Sequence, residues 1–183
     1  LSLEAALELV DARHDALKGV SAKAVSVVGD VDVEDSLAEA SKHGEIAVSH
    51  DLCPGVRVVS GSRDAVAAFQ VPGAVLTETD ARQGAHSPLA ADAAAAYDAL
   101  LVRALAGAAE LAHPLHVAAP AGGVATDAAA AGDALRGSLG RPVAWRAAME
   151  RLLAAGATHF ADAGGGAQLR AFGERCGAGE WLW

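Results

Sequence analysis

One serine of the chain lies in a pattern that could make it a nucleophile. Residues 136–140 (RGSLG) are close to the G-x-S-x-G elbow that exposes a serine for acyl transfer. Arg136 replaces the first glycine of that pattern, and the elbow also needs a strand that runs through a tight turn into a helix. Ser138 falls instead at the end of a predicted helix, shortly before Pro142. We therefore predict that Ser138 is not a nucleophile.

The seven histidines are the other candidates for catalysis, because an imidazole exchanges protons near neutral pH. Composition alone does not choose among them, since most histidines are ordinary surface or core residues. A metal centre is not indicated, because Cys53 and Cys176 have no partners at metal-ligand spacing and the acids near His50 form no convincing set. The glycines at 164–166 are interpreted as a tight turn rather than a phosphate site.

Composition narrows the class of protein. The chain has 183 residues, about one domain, and a net charge of −9 without any basic run, which argues against a nucleic-acid partner. The sequence shows neither a signal peptide nor an apolar run of about 20 residues, so no membrane span is predicted. Two cysteines without a disulfide framework fit a reducing compartment, and we expect a cytoplasmic protein.

The first 82 residues show clear periodicities. Apolar residues at helical spacing predict an amphipathic helix over residues 1–18, with Leu3, Leu7, Val10 and Leu17 on one face. The following segments are predicted in chain order as a strand at 24–29, a helix at 33–41, strands at 45–49 and 56–61, a helix at 63–69 and a strand at 74–77. The order β-α-β-β-α-β is typical of a ferredoxin-like unit, which we assign to residues 21–82.

Helices and strands alternate beyond residue 82, which favours a parallel α/β layer. The predicted segments are a helix at 90–111, a strand at 114–119, a helix from Asp127 to about Leu139, a helix from Pro142 to Ala155, a strand at 158–161 and a helix at 169–175. Only one helix precedes the 21–82 unit, so we expect the sheet of this layer to be incomplete.

Four segments of the chain carry a resemblance to a known family. Residues 1–17 contain L-V-x-x-R, residues 53–61 read CPGVRVVSG, residues 84–89 read GAHSPL, and residues 141–169 contain P-V-x-W followed by a strand and a glycine turn. In this order they resemble the C-terminal two-thirds of the acyltransferases that move malonyl groups from coenzyme A to an acyl carrier protein.

The resemblance implies a fold and a set of partners. It implies a partial α/β-hydrolase-like large subdomain, residues 1–20 and 83–183, with a ferredoxin-like small subdomain, residues 21–82, inserted in it. The nucleophilic serine of a G-H-S-x-G elbow is expected upstream, outside this chain. The implied partners are an acyl carrier protein, an acyl-CoA substrate and the missing N-terminal segment. No metal and no cofactor is implied, since the coenzyme A thioester is the substrate.

The resemblance also assigns roles to three residues. His86 of the H-S-P-L segment is implied as the general base that takes the proton of the serine. The backbone carbonyl of Ala144, just before the tryptophan of P-V-x-W, is implied to orient the imidazole. Arg13 of L-V-x-x-R is implied to bind the malonyl carboxylate, a task that suits the bidentate fork of a guanidinium group.

Several positions depart from the family pattern and leave alternatives open. Ala85 stands where the family commonly has Phe or Ser, which favours either a wider pocket for an α-branched unit such as methylmalonyl or a site under relaxed selection. His50 and Leu52 replace the asparagines that usually precede the Cys-Pro-Gly turn. The other hypotheses are a non-catalytic docking or structural remnant, and an acyl hydrolase, against which the carboxylate clamp at Arg13 argues.

Overall fold

The computed structural model describes residues 2–79, 84–106, 110–119, 122–164 and 167–182. Its helices are α1 (Leu3–Leu17), α2 (Glu34–Ala40), α3 (Arg63–Ala68), α4 (Ala91–Leu105), α5 (Ala128–Leu135), α6 (Trp145–Ala154) and α7 (Ala167–Arg175). Its strands are β1 (Lys23–Val28), β2 (Ile46–Cys53), β3 (Val56–Gly61), β4 (Val75–Thr79), β5 (Glu110–His116), β6 (Val124–Asp127), β7 (Val143–Ala144), β8 (His159–Ala161) and β9 (Glu180–Leu182). Two of the three glycines of the turn predicted at 164–166 lie outside the described residues. Among the described helices, none is both long enough and apolar enough to cross a bilayer.

The first four strands form an antiparallel sheet that follows the predicted order of elements. The strand order is β4-β1-β3-β2, and α2 and α3 connect the strands in the sequence β-α-β-β-α-β. Val25, Val27 and Val59 alternate along β1 and β3, so they point to one face of the sheet. They form a buried cluster with Phe69 and Val71, against which α2 and α3 pack. The two strands that carry this core lie where the sequence predicted strands, at 24–29 and 56–61.

The opposite face of the same sheet carries small and polar buried side chains. Ala24 is paired with Ser60 across β1 and β3, and both are buried. Ser49 of β2 is also fully buried. The chain has a second cluster of buried apolar residues, which contains Leu17, Ala90, Ala93, Ala94 and Leu139. The small residues leave room for the rest of the chain on this face.

The predicted parallel layer after residue 82 is only partly present among the described residues. β7 pairs in parallel with β2 and β8 pairs in parallel with β9, but β5 and β6 form an antiparallel pair. The prediction that Pro142 opens a helix is wrong, because the next two residues form β7 and α6 begins at Trp145. Val143 lies opposite His50 in β2, so pairing with the sheet outweighs the helical preference of a proline at this point. Asp127 caps α5 as predicted, since its side chain accepts from the Ala130 amide.

The helix α1 is present, but its predicted apolar face is not the one it buries. Leu3, Leu7 and Val10 are 76%, 55% and 62% exposed. The helix packs against α4 and buries Leu17 at its C-terminal end, and its partly buried residues are Ala5, Ala6, Leu9, Ala12, Arg13 and Ala16. Arg13 lies on this partly buried face, and its charge reaches Tyr97, which packs against the second cluster.

Candidate active site

His86 lies in a segment with an unusual backbone. Its φ angle is 64°, and no other non-glycine residue among those described has a positive φ. A left-handed conformation costs about 1–2 kcal/mol for a residue with a side chain, so surrounding contacts must hold it. The His86 amide donates to the Leu139 carbonyl at 2.6 Å, and the buried Ser87 hydroxyl donates to the Gly84 carbonyl at 2.5 Å. A Cβ at Gly84 would lie 2.4 Å from that of Ala22, so the segment also lies directly against the start of β1.

The imidazole of His86 is held in one tautomer. Its Nδ1 lies 2.8 Å from the Ser138 carbonyl oxygen. A carbonyl only accepts hydrogen bonds, so Nδ1 carries the proton and the lone pair is on Nε2. Burial lowers the pKa of His86, as does the Arg13 cation, while the carbonyls of Ser138 and Arg141 act in the opposite direction. The net lowering of the pKa keeps Nε2 unprotonated at neutral pH, which is the form a general base needs.

The carbonyl that orients His86 is not the one predicted. The family resemblance implied the Ala144 carbonyl, but the Ser138 carbonyl makes the contact, so the prediction for Ala144 is wrong. Ala144 lies in β7, where it pairs with Asp51 and its amide donates to the Ala118 carbonyl. Ser138 lies not at a helix end but in a short 3₁₀ turn, Ser138–Gly140, which follows Gly137. The carbonyls of this turn point at His86 instead of continuing a helix.

Asp98 holds this turn in place and was not recognised from the sequence. Its two carboxylate oxygens lie 2.9 and 2.8 Å from the Gly137 amide nitrogen, which donates to them. Gly137 has a φ angle of 69°, a conformation that glycine adopts without strain. The adjoining carbonyl of Ser138 then reaches His86. The only signal in the sequence was an acidic residue within the alanine-rich segment that forms α4.

We expect Asp98→Ala to lower the free energy of unfolding of the chain. A hydrogen bond from an amide to a charged carboxylate contributes about 1.5–3 kcal/mol, and its loss also frees the turn that carries Ser138. Urea unfolding followed by circular dichroism measures the effect. Asp92→Ala, an exposed position on the same helix, is the matched control and is expected to change the stability by less than about 1 kcal/mol. Equal losses in the two variants would contradict the role given to Asp98.

Arg13 is brought to the same place as His86. It lies on α1, is partly buried, and within the described part of the chain it has no salt bridge or hydrogen-bond partner. Its positive charge lowers the pKa of His86 and counteracts the rise that burial imposes on the pKa of Tyr97. A partly buried guanidinium group without a carboxylate partner can bind an anion. The charge of Arg13 therefore reaches His86, the other residue singled out in the sequence.

The cysteines do not contribute a nucleophile to this arrangement. Both Cys53 and Cys176 are free thiols. Burial raises the pKa of Cys53, and it raises that of Cys176 to about 11. A thiol with a raised pKa holds little thiolate at neutral pH, so neither is an activated nucleophile.

The chain was compared with known proteins. No protein-family model and no curated protein sequence matches it. Its structure matches the acyl-carrier-protein S-malonyltransferase of Burkholderia pseudomallei 1710b with a TM-score of 0.83 at 22% identity, over 100% of this chain and 63% of that one. It matches the malonyl-CoA:acyl carrier protein transacylase of Xanthomonas oryzae pv. oryzae with a TM-score of 0.84 at 26% identity, over 99% and 60% of the two chains. The chain has the fold of a malonyl-CoA:acyl carrier protein transacylase.

The transacylase fold is also found in a solved complex with a carrier protein. A malonyl transacylase bound to its type II polyketide synthase acyl carrier protein matches with a TM-score of 0.82 at 19% identity, over 99% of this chain and 62% of that one. The chain thus spans 60–63% of the length of these transacylases. The predicted resemblance to the C-terminal part of this family is confirmed. The feature that matches is the mixed α/β fold.

His50, which contacts His86, was noted in the sequence as a departure from the family pattern. The ring centroids of His50 and His86 are 5.2 Å apart and the ring planes meet at 74°, an edge-to-face contact. Its position just before the Cys-Pro-Gly turn was the available signal. His50 was also considered as a metal ligand and rejected, and among the described residues no group of three His, Cys, Asp or Glu is placed to hold a metal.

Proposed function

We propose that this chain is part of an acyltransferase that moves a malonyl-type acyl group from coenzyme A to an acyl carrier protein through a serine–histidine acyl-enzyme. The observation that carries the proposal is the imidazole of His86. Its Nδ1 is tied to the Ser138 carbonyl at 2.8 Å, its Nε2 is left as a base, and Arg13 lies within electrostatic reach. The structural match to malonyl transacylases supports the same reading.

The proposal includes a division of the chain into subdomains. Residues 21–82, with their β-α-β-β-α-β order, form a ferredoxin-like small subdomain. Residues 1–20 and 83–183 belong to a partial α/β-hydrolase-like large subdomain. The serine nucleophile and the oxyanion hole belong to a segment outside this chain. In this division both His86 and Ser138, whose carbonyl orients the imidazole, belong to the large subdomain, and His86 follows shortly after the small subdomain in the chain.

In the proposed reaction, His86 moves one proton in each direction. The serine oxygen attacks the thioester carbonyl carbon while His86 Nε2 takes the serine proton. The carbon–sulfur bond then breaks, and the proton passes from Nε2 to the departing coenzyme A thiolate. In the second half, the carrier's phosphopantetheine thiol gives its proton to Nε2 and attacks the acyl-serine. Collapse of that intermediate returns the proton to the serine oxygen.

Arg13 defines the substrate class in this proposal. Its guanidinium group would pair with the free carboxylate of a dicarboxylic acyl group, which acetyl-CoA lacks. Ala85, next to His86 in the chain, is small and would leave room for an α-branched group. The proposed acyl group is therefore malonyl or methylmalonyl. An acyl carrier protein is proposed as the acceptor, in keeping with the solved complex of a related transacylase. The cytoplasmic location expected from the sequence stays a prediction.

A reconstitution experiment tests the proposal. The chain is joined to its nucleophile-bearing segment, as one polypeptide or as two, and mixed with malonyl-CoA and a holo acyl carrier protein. We expect the carrier to gain the mass of a malonyl group in intact-protein mass spectrometry. We also expect a malonyl-serine on the enzyme when the carrier is left out, because the acyl-enzyme then accumulates.

The same experiment separates the alternatives. Free malonate without a malonylated carrier would indicate a hydrolase and would overturn the transfer proposal. Binding of the carrier without acyl-serine formation would indicate a docking or structural remnant. A carrier preparation whose serine lacks phosphopantetheine is the matched control, because it has no thiol to accept the acyl group.

A further inference from the structure

A buried hydrogen-bonded cluster stands behind the base on the sheet face opposite α2 and α3. It consists of Ser49, Ser60 and His50. The hydroxyls of Ser49 and Ser60 are 2.8 Å apart, and both serines are at most 2% exposed. The Nδ1 of His50 lies 3.0 Å from the Ser49 hydroxyl oxygen. Polar side chains buried this deeply require specific partners, so the cluster holds its members in one arrangement.

An irregularity in β2 places two neighbouring residues of this cluster on the same face. In a regular strand, Ser49 and His50 would point to opposite faces. The pairing of β2 with β3 shifts register between Val48 and His50, which is a β-bulge at Ser49. Bulges redirect side chains in this way and are frequent near active sites. As a result, the His50 ring turns towards His86 while Ser49 stays beneath it.

The hydroxyl protons decide the tautomer of His50. Ser49 has one hydroxyl proton, and it points at the Val58 carbonyl, which lies 3.2 Å away and only accepts. The Ser49 oxygen must therefore accept from both Ser60 and His50. It follows that Nδ1 of His50 carries a proton and that Nε2 holds the lone pair. His50 and His86 are thus held in the same tautomer, each through its Nδ1, by acceptors on different parts of the chain.

The contact between the two rings shields the base. The His50 ring meets the His86 ring at 74° with a centroid distance of 5.2 Å, and both side chains are mostly buried. Burial, followed by repulsion from His86, lowers the pKa of His50 to about 4. His50 is therefore uncharged over the pH range in which His86 would work. A charged neighbour would oppose the proton that His86 takes up, and a neutral ring does not.

We propose that His50 is a positioning residue for the base: its bulge-held ring fixes the plane of the His86 imidazole and excludes water from it. The inference rests on the proposed function, because it assigns His50 to the base of that reaction. Within the described residues, Arg13 on α1 is the charged side chain that acts on His86, and His50 on β2 is the titratable ring in contact with it. Of these, only His50 covers the ring while staying neutral.

Nuclear magnetic resonance tests the inference without any turnover. Long-range ¹H–¹⁵N spectra of the imidazoles in this chain report tautomers and pKa values directly. We expect the Nδ1–H tautomer at both His50 and His86. We expect His50→Ala to raise the pKa of His86 towards its ordinary value, because water then reaches the ring. His50→Phe keeps a ring over His86, and we expect it to leave the pKa of His86 low.

Control variants keep the test decisive. His43→Ala removes an exposed histidine and should leave the pKa of His86 unchanged. Ser49→Ala removes the acceptor and should shift His50 from the Nδ1–H to the Nε2–H tautomer, which tests the cluster even if His50→Ala fails to fold. An Nε2–H tautomer at His50 in the unaltered chain, or an unchanged pKa of His86 in His50→Ala, would overturn the inference.

A kinetic readout follows in the reconstituted acyltransferase. His50→Ala should move the acid limb of the kcat/KM profile for malonyl transfer to higher pH, because a base with a raised pKa is protonated at higher pH. His50→Phe should leave the limb in place. A loss of rate that is the same at every pH would indicate a purely structural role and overturn the inference. If no malonyl is transferred by the unaltered enzyme, the proposed function fails, while the magnetic resonance result still decides the arrangement of the pair.

Discussion

His86→Asn is expected to reduce malonyl transfer by roughly 10²- to 10⁴-fold in the reconstituted acyltransferase, since a positioned general base contributes a factor of that size. Asparagine is chosen because it tolerates the left-handed backbone that His86 adopts at a φ angle of 64°. The side chain cannot take up a proton, so the serine is not activated. Mass spectrometry of the malonyl-serine formed in a single turnover measures the effect.

Two controls test whether the loss of transfer could come from misfolding or from the removal of any histidine. Thermal unfolding of His86→Asn should resemble that of the unaltered chain, which shows that the loss is chemical. His159→Gln changes an exposed histidine that pairs with Glu180, and it should leave the transfer rate unchanged. Undiminished malonyl-serine formation by His86→Asn would remove His86 from the mechanism.

Arg13→Ala is expected to discriminate between substrates rather than to stop the chemistry. Losing hydrogen bonds between a guanidinium group and a carboxylate costs about 2–3 kcal/mol, which is roughly 30- to 150-fold in kcat/KM for malonyl-CoA. Acetyl-CoA has no carboxylate, so its slow transfer should hardly change. Competition between the two thioesters for one carrier protein measures the ratio directly.

Two further variants define what Arg13 does. Arg13→Lys keeps the positive charge but loses the bidentate fork, so an intermediate loss with malonyl-CoA is expected. Arg170→Ala removes a partly exposed arginine that pairs with Glu174 on α7, and it should leave the preference for malonyl-CoA intact. Equal losses with malonyl-CoA and acetyl-CoA in Arg13→Ala would show that Arg13 does not bind the carboxylate.

Local patterns in the sequence were sufficient for the order of elements up to residue 79. The β-rich runs at 24–29 and 56–61 identify β1 and β3, and the Cys-Pro-Gly turn separates β2 from β3. The same kind of local information identified the cap at Asp127. These features depend on contacts within a few residues, which the order of side chains along the chain specifies.

The predictions that failed concern residues whose structure depends on contacts with distant elements of the chain. The stripe of Leu3, Leu7 and Val10 has the correct helical spacing, but these residues are exposed, and among the described residues α1 buries Leu17 and, in part, Leu9 and its alanines. Pro142 has the properties of a first helical residue, but the next two residues pair with β2. In both cases, periodicity and propensity were outweighed by packing between distant elements.

The sequence by itself determined which histidine to examine and which arginine to place beside it. Only the tertiary structure decided how the imidazole of His86 is held. The carbonyl that orients His86 belongs to Ser138, 52 residues further along the chain, and that turn is fixed by Asp98 on a third element. The neighbouring ring of His50 reaches the base only because β2 carries a bulge. Hydrogen bonds between distant residues depend on backbone turns to within an ångström, and no spacing along the sequence specifies them.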